Sequence, residues 1–464
     1  MTNRPNVVLI SIDTLRADHL SCYGYQKKTT PHLDSLAEEG SVFLQHYSTG
    51  VWTPPGHASM LTGLYVSEHG VHGERSLRED IPTIAEKLKA CGYQTAGFVN
   101  NSQVGALVGL DRGHDTFEEV WRGIKPSEVM KRALMGLLRR AMRALGREDM
   151  GARITNRLFR HWIERKTSRD RPFYAFLHYI EPHNPLEPPR PYKGKYGGKA
   201  PAGIDLKKVG KVAHNPLICF VEKIELSGEE IEYLKSLYDG EIAYTDMRVG
   251  EVVKVLKKNG LYDNTAIIVT SDHGEHFGEW GLWSHVASLH REVLRIPLII
   301  KYPRGSACSG EIDGYTQLVD IFPTVMDVAG VSRESGANTS GVSLAPGSSG
   351  RFHDYVYAEW EGRIPFFIQS KVLGKRDPVP LGKITTKMCM VQDRTHKYIL
   401  KSDGSEELYE ISDGREERSE DAAKSETLRG MIMKRKNILN DKEEAGLYRM
   451  DSDIAKNLRS LGYM

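Results

Sequence analysis

The chain has no surplus of charge of either sign, no long apolar run and no cysteine framework. Lys and Arg number 63 against 61 Asp and Glu, a formal net charge of +2 over 464 residues. So even a balance excludes binding driven by bulk charge, and no nucleic-acid partner is expected. No stretch approaches the roughly 18 consecutive apolar residues of a membrane span. The polar residues before Val7 are too few for a secretory signal, so a chain without a leader is expected. The five cysteines (Cys22, Cys91, Cys219, Cys308 and Cys389) are odd in number and scattered, and no two share metal-ligand spacing. That speaks against a disulfide scaffold and for a reducing compartment, here the cytoplasm. Internal repeats and low-complexity tracts are also missing.

What is present is an ordinary globular composition, 40% hydrophobic and 27% charged. Asn6 to Ile12 is a continuous apolar run that ends in Asp13. A run without alternation suits a strand buried on both faces of a parallel sheet, whose ligands gather at the carboxyl ends of strands. Phe173 to Leu177 repeats the pattern and ends in His178, Glu181, Pro182 and His183. Thr265 to Thr270 repeats it again and ends in Ser271-Asp272-His273-Gly274. Three such runs ending in mutually compatible metal-capable side chains are hard to ascribe to chance.

Helical patterns lie between them at Pro31 to Glu39, Ile81 to Ala90 and Glu229 to Asn259. The alternation predicts an α/β fold, a large and mostly parallel sheet sandwiched by helices. Residues 122–168 interrupt it. Met130, Leu134, Leu137, Leu138, Ala141 and Leu145 fall at helical spacing among Lys131, Arg132, Arg139, Arg140, Arg143 and Arg147. That is either a helical insert with a solvated basic face or an amphipathic helix for peripheral contact with an anionic membrane. Residues 184–225, rich in Pro, Gly, Lys and Tyr, read as a long surface loop. After about residue 345 short strands follow, at Tyr355 to Ala358, Lys387 to Gln392, His396 to Leu400 and Glu406 to Glu410. The expected division is a catalytic domain over 1–345 and a smaller α+β subdomain over 346–464.

One segment carries the functional argument: Val51-Trp52-Thr53-Pro54-Pro55-Gly56-His57-Ala58-Ser59-Met60-Leu61-Thr62-Gly63. With Leu9 to Asp18, Pro182-His183-Asn184-Pro185, Ser271 to Glu275 and Glu407-Leu408-Tyr409, it resembles the sulfatase branch of the alkaline phosphatase superfamily over nearly the whole chain. The resemblance implies an alkaline phosphatase-like fold, a metal-dependent ester hydrolase and a nucleophile at Thr53. His285, ten residues before Arg295-Ile296-Pro297, stands near where family members place a substrate-binding Lys or His.

The departures shape the chemistry. Family sulfatases convert a Cys or Ser at the Thr53 position into formylglycine; a threonine cannot yield that aldehyde, so no formylglycine is expected. His57 replaces an arginine, Thr14 replaces a second metal aspartate, and Gly92-Tyr93-Gln94-Thr95 leads to Asn100-Asn101-Ser102 in place of Lys-x-His. Threonine nucleophiles with a nearby Asn resemble the phosphodiesterase and phosphotransferase branches instead.

A threonine hydroxyl is a poor nucleophile at neutral pH unless a cation lowers its pKa. Asp13, Asp272, His273 and the Thr53 hydroxyl make a four-ligand set that suits Zn²⁺ or Mn²⁺ ahead of Ca²⁺ or Mg²⁺. A threonine ester must then be cleaved by water or an acceptor alcohol. His183 and His285 are the groups for that second step, with His178 and Glu181 behind them, as general acid and base on bound substrate or as ligands of a second metal. Asn100 is expected to donate to a nonbridging oxygen, and His57 to orient Thr53 or the ester oxygen. The expected substrate is a phosphate ester, small or linked to a glycan or lipid. The alternatives are a sulfuric ester, transfer of a phospho-headgroup, and a degenerate binding module.

Overall fold

The computed structural model describes residues 4–122, 149–306, 308–331, 339–348, 352–362, 385–435, 453–454 and 456–457. Ten strands of the first part are β1 (Asn6–Ile12), β2 (Ser41–Tyr47), β3 (Gln94–Val99), β4 (Thr116–Glu119), β5 (Phe173–Tyr179), β6 (Thr265–Thr270), β7 (His276–Phe277), β8 (Trp283–Ser284), β9 (Leu298–Lys301) and β10 (Gly310–Gln317). Eight of them form one sheet in the order β10-β2-β9-β6-β1-β5-β3-β4. Only β9 runs antiparallel to its neighbours. β7 and β8 form a separate two-stranded ribbon.

The apolar runs behave as strands buried twice over. Every residue of β1 and β5 is buried. Val8, Ile10 and Ile12 face one core with Phe173, Ala175, Leu177 and Tyr179. Val7 and Leu9 face the other with Tyr174 and Phe176. Two apolar layers on either side of one sheet leave little place for a polar residue before the last two positions of a strand, where Ser11 and His178 stand, which is why the polar chemistry begins there.

The helices fill those layers. Pro31–Glu39 has the expected bounds. Ile84–Ala90 begins three residues after the expected Ile81, because Thr83 caps it and Glu86 closes the capping box. Gly228–Lys258 is likewise set by Ser227 and Glu230. It packs on Pro31–Glu39 and on Ala152–Arg165.

Residues 184–225 correct the expectation of a plain loop. They contain the helices Leu206–His214 and Ile218–Glu222. Asp205 caps the first, and Val209, Val212 and Ala213 bury one face of it. The Pro- and Gly-rich composition of residues 188–203 hid an i, i+3, i+4 apolar pattern only one turn long. In the basic insert, Ala152–Arg165 lays Phe159, Trp162 and Ile163 on the core. The apolar and basic positions from Met130 to Arg147 lie outside the described residues. No helix among the described residues is long and apolar enough to cross a membrane.

The C-terminal part holds a five-stranded antiparallel sheet, β11 (Val356–Trp360), β12 (Met388–Gln392), β13 (His396–Lys401), β14 (Glu406–Ser412) and β15 (Arg415–Arg418), in that order. Leu428 and Ile432 of the helix Ala422–Lys434 cover one face. The other face shares a single apolar cluster with Tyr47, Val51 and Trp52, the residues leading into the Thr53 segment.

Candidate active site

β6, β1, β5 and β3 lie side by side and parallel, so their carboxyl ends share one edge. Asp13 follows β1, Asp272 and His273 follow β6, His178 closes β5, and Asn100 and Asn101 follow β3. The helix Thr53–Thr62 arrives at the same edge with Thr53 as its first residue. Pro54 and Pro55 sit where helical N–H groups have no intrahelical partner, so their missing donors cost nothing. Gly56 allows the close approach: a Cβ there would lie 2.9 Å from the Asp272 carbonyl oxygen. Ser48 fixes the loop from the other side by donating to the Asp272 carbonyl.

Asp13, Asp272 and His273 bring one ligand atom each within 4.8 Å of the others, all buried. The Thr53 hydroxyl stands 3.4 Å from His273 Nε2. His273 Nδ1 donates to the Gly274 carbonyl at 2.9 Å, which leaves Nε2 with a lone pair. Asp13 Oδ1 and Asp272 Oδ2 accept no hydrogen bond among the described residues. Buried carboxylate oxygens without donors are costly, and burial followed by the charge of Asp13 pushes Asp272 up to about 7. Two unused carboxylate oxygens facing an imidazole lone pair are what a divalent cation would satisfy, so these residues fit one.

Thr14 shows what replaced the second aspartate. Its backbone is left-handed, with φ of 57°, and its N–H donates to Asp272 Oδ1 at 3.2 Å. A β-branched residue in that region is strained by about 1–3 kcal/mol. The position now steers Asp272 through its backbone instead of offering a carboxylate.

The other expected residues fall in different places. His57 Nδ1 donates to the Thr53 carbonyl at 2.8 Å, and Ser11 faces Nε2 at 2.9 Å. His57 is thus a positioning residue that holds the backbone of Thr53. Asn100 spends its amide on the Met150 carbonyl. The amide that reaches the metal-ligand set belongs to Asn101, which donates to Asp13 Oδ2 at 3.1 Å. His178, open to a core reading by sequence, accepts from the Asn100 N–H and places Nε2 3.5 Å from Asp13 Oδ2. His183 Nδ1 donates to the Asn184 carbonyl at 2.8 Å, and its ring centre lies 5.4 Å from that of His285. His285 stacks on His273 at 4.2 Å and pairs through Nδ1 with Glu275 at 3.1 Å. Burial holds His57, His178 and His273 down at about 4 and His285 at about 3, so all four are neutral in the resting site. Burial pushes Glu275 up to about 7.

Asn101, Ser11 and Glu275 carried no assigned role in the sequence, and His178 only a supporting one behind His183 and His285. Strand parity could have placed two of them: Asn101 shares a face with Val99, and His178 lies in register with Ser11, two residues before Asp13.

A family model described as Sulfatase matches residues 5–331, and the chain belongs to the sulfatase family. Its relatives include the multifunctional alkaline phosphatase superfamily protein PehA of Trinickia caryophylli, 28% identical over 459 residues that span 85% of this chain and 87% of that protein. Choline-sulfatase of Rhizobium meliloti is 26% identical over 74% of this chain and 72% of its own. The fold matches the crystal structure of a phosphonate monoester hydrolase of Agrobacterium radiobacter with a TM-score of 0.72, at 23% identity, over 94% of this chain and 95% of that one. The chain is a hydrolase of sulfuric or phosphoric esters, from a family that depends on a divalent metal.

Proposed function

We propose that the chain hydrolyses a phosphate ester, a diester or a glycan- or lipid-linked phosphate, with Thr53 as nucleophile. The observation that carries this reading is the Thr53 hydroxyl, buried at a helix start and 3.4 Å from His273 Nε2 in the pocket of Asp13 and Asp272. Asp13, Asp272 and His273 would hold a divalent cation, Zn²⁺ or Mn²⁺ by donor set, which when bound lowers the pKa of the threonine hydroxyl and offsets substrate charge.

The residues divide the remaining work. His57 and Ser11 fix the backbone of Thr53, and Asn101 fixes Asp13, with His178 Nε2 beside it at 3.5 Å. The Thr53 oxygen attacks phosphorus while the bond to the leaving oxygen breaks, and that oxygen takes a proton from His285 Nε2, which the Glu275 carboxyl replaces through Nδ1. A threonine phosphoester remains. It has no aldehyde hydrate through which to eliminate, so water must attack in line, giving its proton back to the same imidazole and releasing phosphate. Glu275, paired to His285 Nδ1, orients that imidazole for both transfers. The free thiols of all five cysteines support a reducing compartment such as the cytoplasm.

A sulfuric ester is the second reading, favoured by relatives such as choline-sulfatase. The test is a rate comparison of the Mn²⁺- or Zn²⁺-loaded protein on an aryl phosphodiester, an aryl phosphomonoester and an aryl sulfate. A preference for a phosphate ester by several orders of magnitude is expected; a preference for sulfate overturns the reading. Thr53→Ala should lower turnover at least a thousandfold at unchanged Tm, and retained turnover would remove Thr53 from the mechanism.

A further inference from the structure

The turn Glu279–Gly281 joins β7 to β8 and carries Trp280 to the surface. Trp280 is 45% exposed, more than Phe352 at 41%. Its backbone is left-handed, with φ of 59° and ψ of 15°. A bulky side chain seldom adopts that region, and such strain is retained where a side chain must be presented in one direction. The indole is held there on three sides. It stacks on His290 at 4.3 Å and 9°, meets the edge of Tyr409 at 5.7 Å, and donates through Nε1 to Glu292 at 3.3 Å. One face is therefore occupied, and the exposure belongs to the rest of the ring.

That ring borders a cleft of about 320 Å³ lined by Glu279, Arg291, Glu292, Arg415 and Glu416. Two of the acids are committed. Glu279 pairs with Arg16 at 2.9 Å, and Glu416 pairs with Lys397 at 2.5 Å and His290 at 2.9 Å. The two guanidinium groups are not: among the described residues neither Arg291 nor Arg415 has an ion-pair partner, and Arg291 donates only to the Gly414 carbonyl. The cleft thus offers a rigid aromatic platform, two cations without counterions, and Glu292 as a hydroxyl acceptor.

We propose that this cleft is a binding subsite for an acidic sugar unit of an oligosaccharide. The ring stacks a sugar face, Arg291 and Arg415 take its carboxylate or sulfate, and Glu292 accepts a hydroxyl. A single-stranded nucleic acid also needs stacking and cations. It fits less well, because there is one platform, not a series. The position ties the subsite to the chemistry. Trp280 lies five residues after Glu275 and five before His285, so at most about 18 Å of extended chain separates the platform from either active-site residue. A chain held here would present a neighbouring unit to the Thr53 pocket.

Binding is measured by isothermal titration of the full chain with a heparin tetrasaccharide, with uncharged cellotetraose and with a single-stranded oligonucleotide of matched charge. The acidic tetrasaccharide should bind at least tenfold more tightly than either control. Trp280→Gly suits the left-handed backbone and removes only the platform; it should weaken that binding at least tenfold while aryl ester turnover stays within twofold of the parent. Arg415→Gln, at an exposed position, should abolish the preference for the acidic over the neutral sugar. Equal affinity for acidic and neutral sugars, undiminished binding in both variants, or tighter binding of the oligonucleotide would overturn the proposal. Because turnover is not the readout, failure here is distinct from failure of the proposed ester chemistry.

Discussion

At the scale of single residues, the site gathers buried carboxylates close together. Asp13 and Asp272 repel each other in a buried pocket, and burial raises the pKa of both. Asp13→Asn should therefore do two opposite things. It should abolish stoichiometric metal binding, read by elemental analysis. In chelator-treated protein it should raise Tm by a few degrees, because one uncompensated carboxylate is gone. A lower Tm for the variant in chelator would refute the charge argument. Glu181 gives a cleaner pH signature, at a residue outside the ligand set. Its Oε1 accepts from the Met150 N–H at 2.9 Å, while Oε2 has no donor among the described residues. Burial, then the charge of Asp149, pushes this carboxyl up from 4.5 to about 7. A raised carboxyl supports folding fully below its unfolded pKa and loses that support as pH rises through the folded one. Glu181→Gln should thus be progressively more stable than the parent as pH rises from about 4.5 to about 7, by up to about 3 kcal/mol, and the gap should then level off. Urea midpoints at pH 5 and pH 8 that shift equally in both proteins would contradict this.

At the scale of elements, the helix Thr53–Thr62 sets the position of Thr53, the proposed nucleophile, and its contact with the Asp272 loop leaves little room. Replacing a glycine inside a helix by alanine ordinarily stabilises by about 0.5–1 kcal/mol. At Gly56 the sign should reverse, since the added Cβ meets the Asp272 backbone oxygen at 2.9 Å and its Cβ at 3.2 Å. A loss of about 1–3 kcal/mol is expected from overpacking. Turnover should fall at least tenfold as Thr53 moves away from His273. Normal turnover with raised stability would show that the loop yields freely. The long elements were legible because they are long: an unbroken apolar run for β1, β5 and β6, and 31 residues for Gly228–Lys258, whereas the capping box at Thr83 went unread and that helix starts three residues later than expected. The helix Leu206–His214 was not legible, because one buried turn among prolines and glycines leaves too few periods to register.

At the scale of the whole molecule, the small antiparallel sheet is part of the catalytic core. Val51 and Trp52 share one apolar cluster with Val356, Ala358, Trp360, Met388 and Met390. Glu359 N–H donates to the Thr49 carbonyl at 3.0 Å, and Ser67 donates through both N–H and hydroxyl to the Glu359 carboxyl. A chain ended at residue 345 would expose this cluster next to Thr53. It should be insoluble or without turnover, and circular dichroism of a soluble, active 1–345 product would show instead that the two parts fold separately.

The sequence by itself determined the chemistry available to this protein. Unbroken apolar runs end where polar side chains begin, so Asp13, Asp272 and His273 were readable as strand-end residues, and a threonine where the resemblance puts a formylglycine precursor restricts the route proposed at Thr53. Which neighbours complete that set was decided only in three dimensions. Whether Asn100 or Asn101 turns toward Asp13 depends on one residue of alternation where β3 leaves the sheet, and the Met150 carbonyl takes the other amide. His178 and Ser11 reach the site because β5 pairs with β1 in register, a contact between segments more than 150 residues apart. Local pattern reports which face of an element is buried; it carries no information on which distant strand will lie beside it.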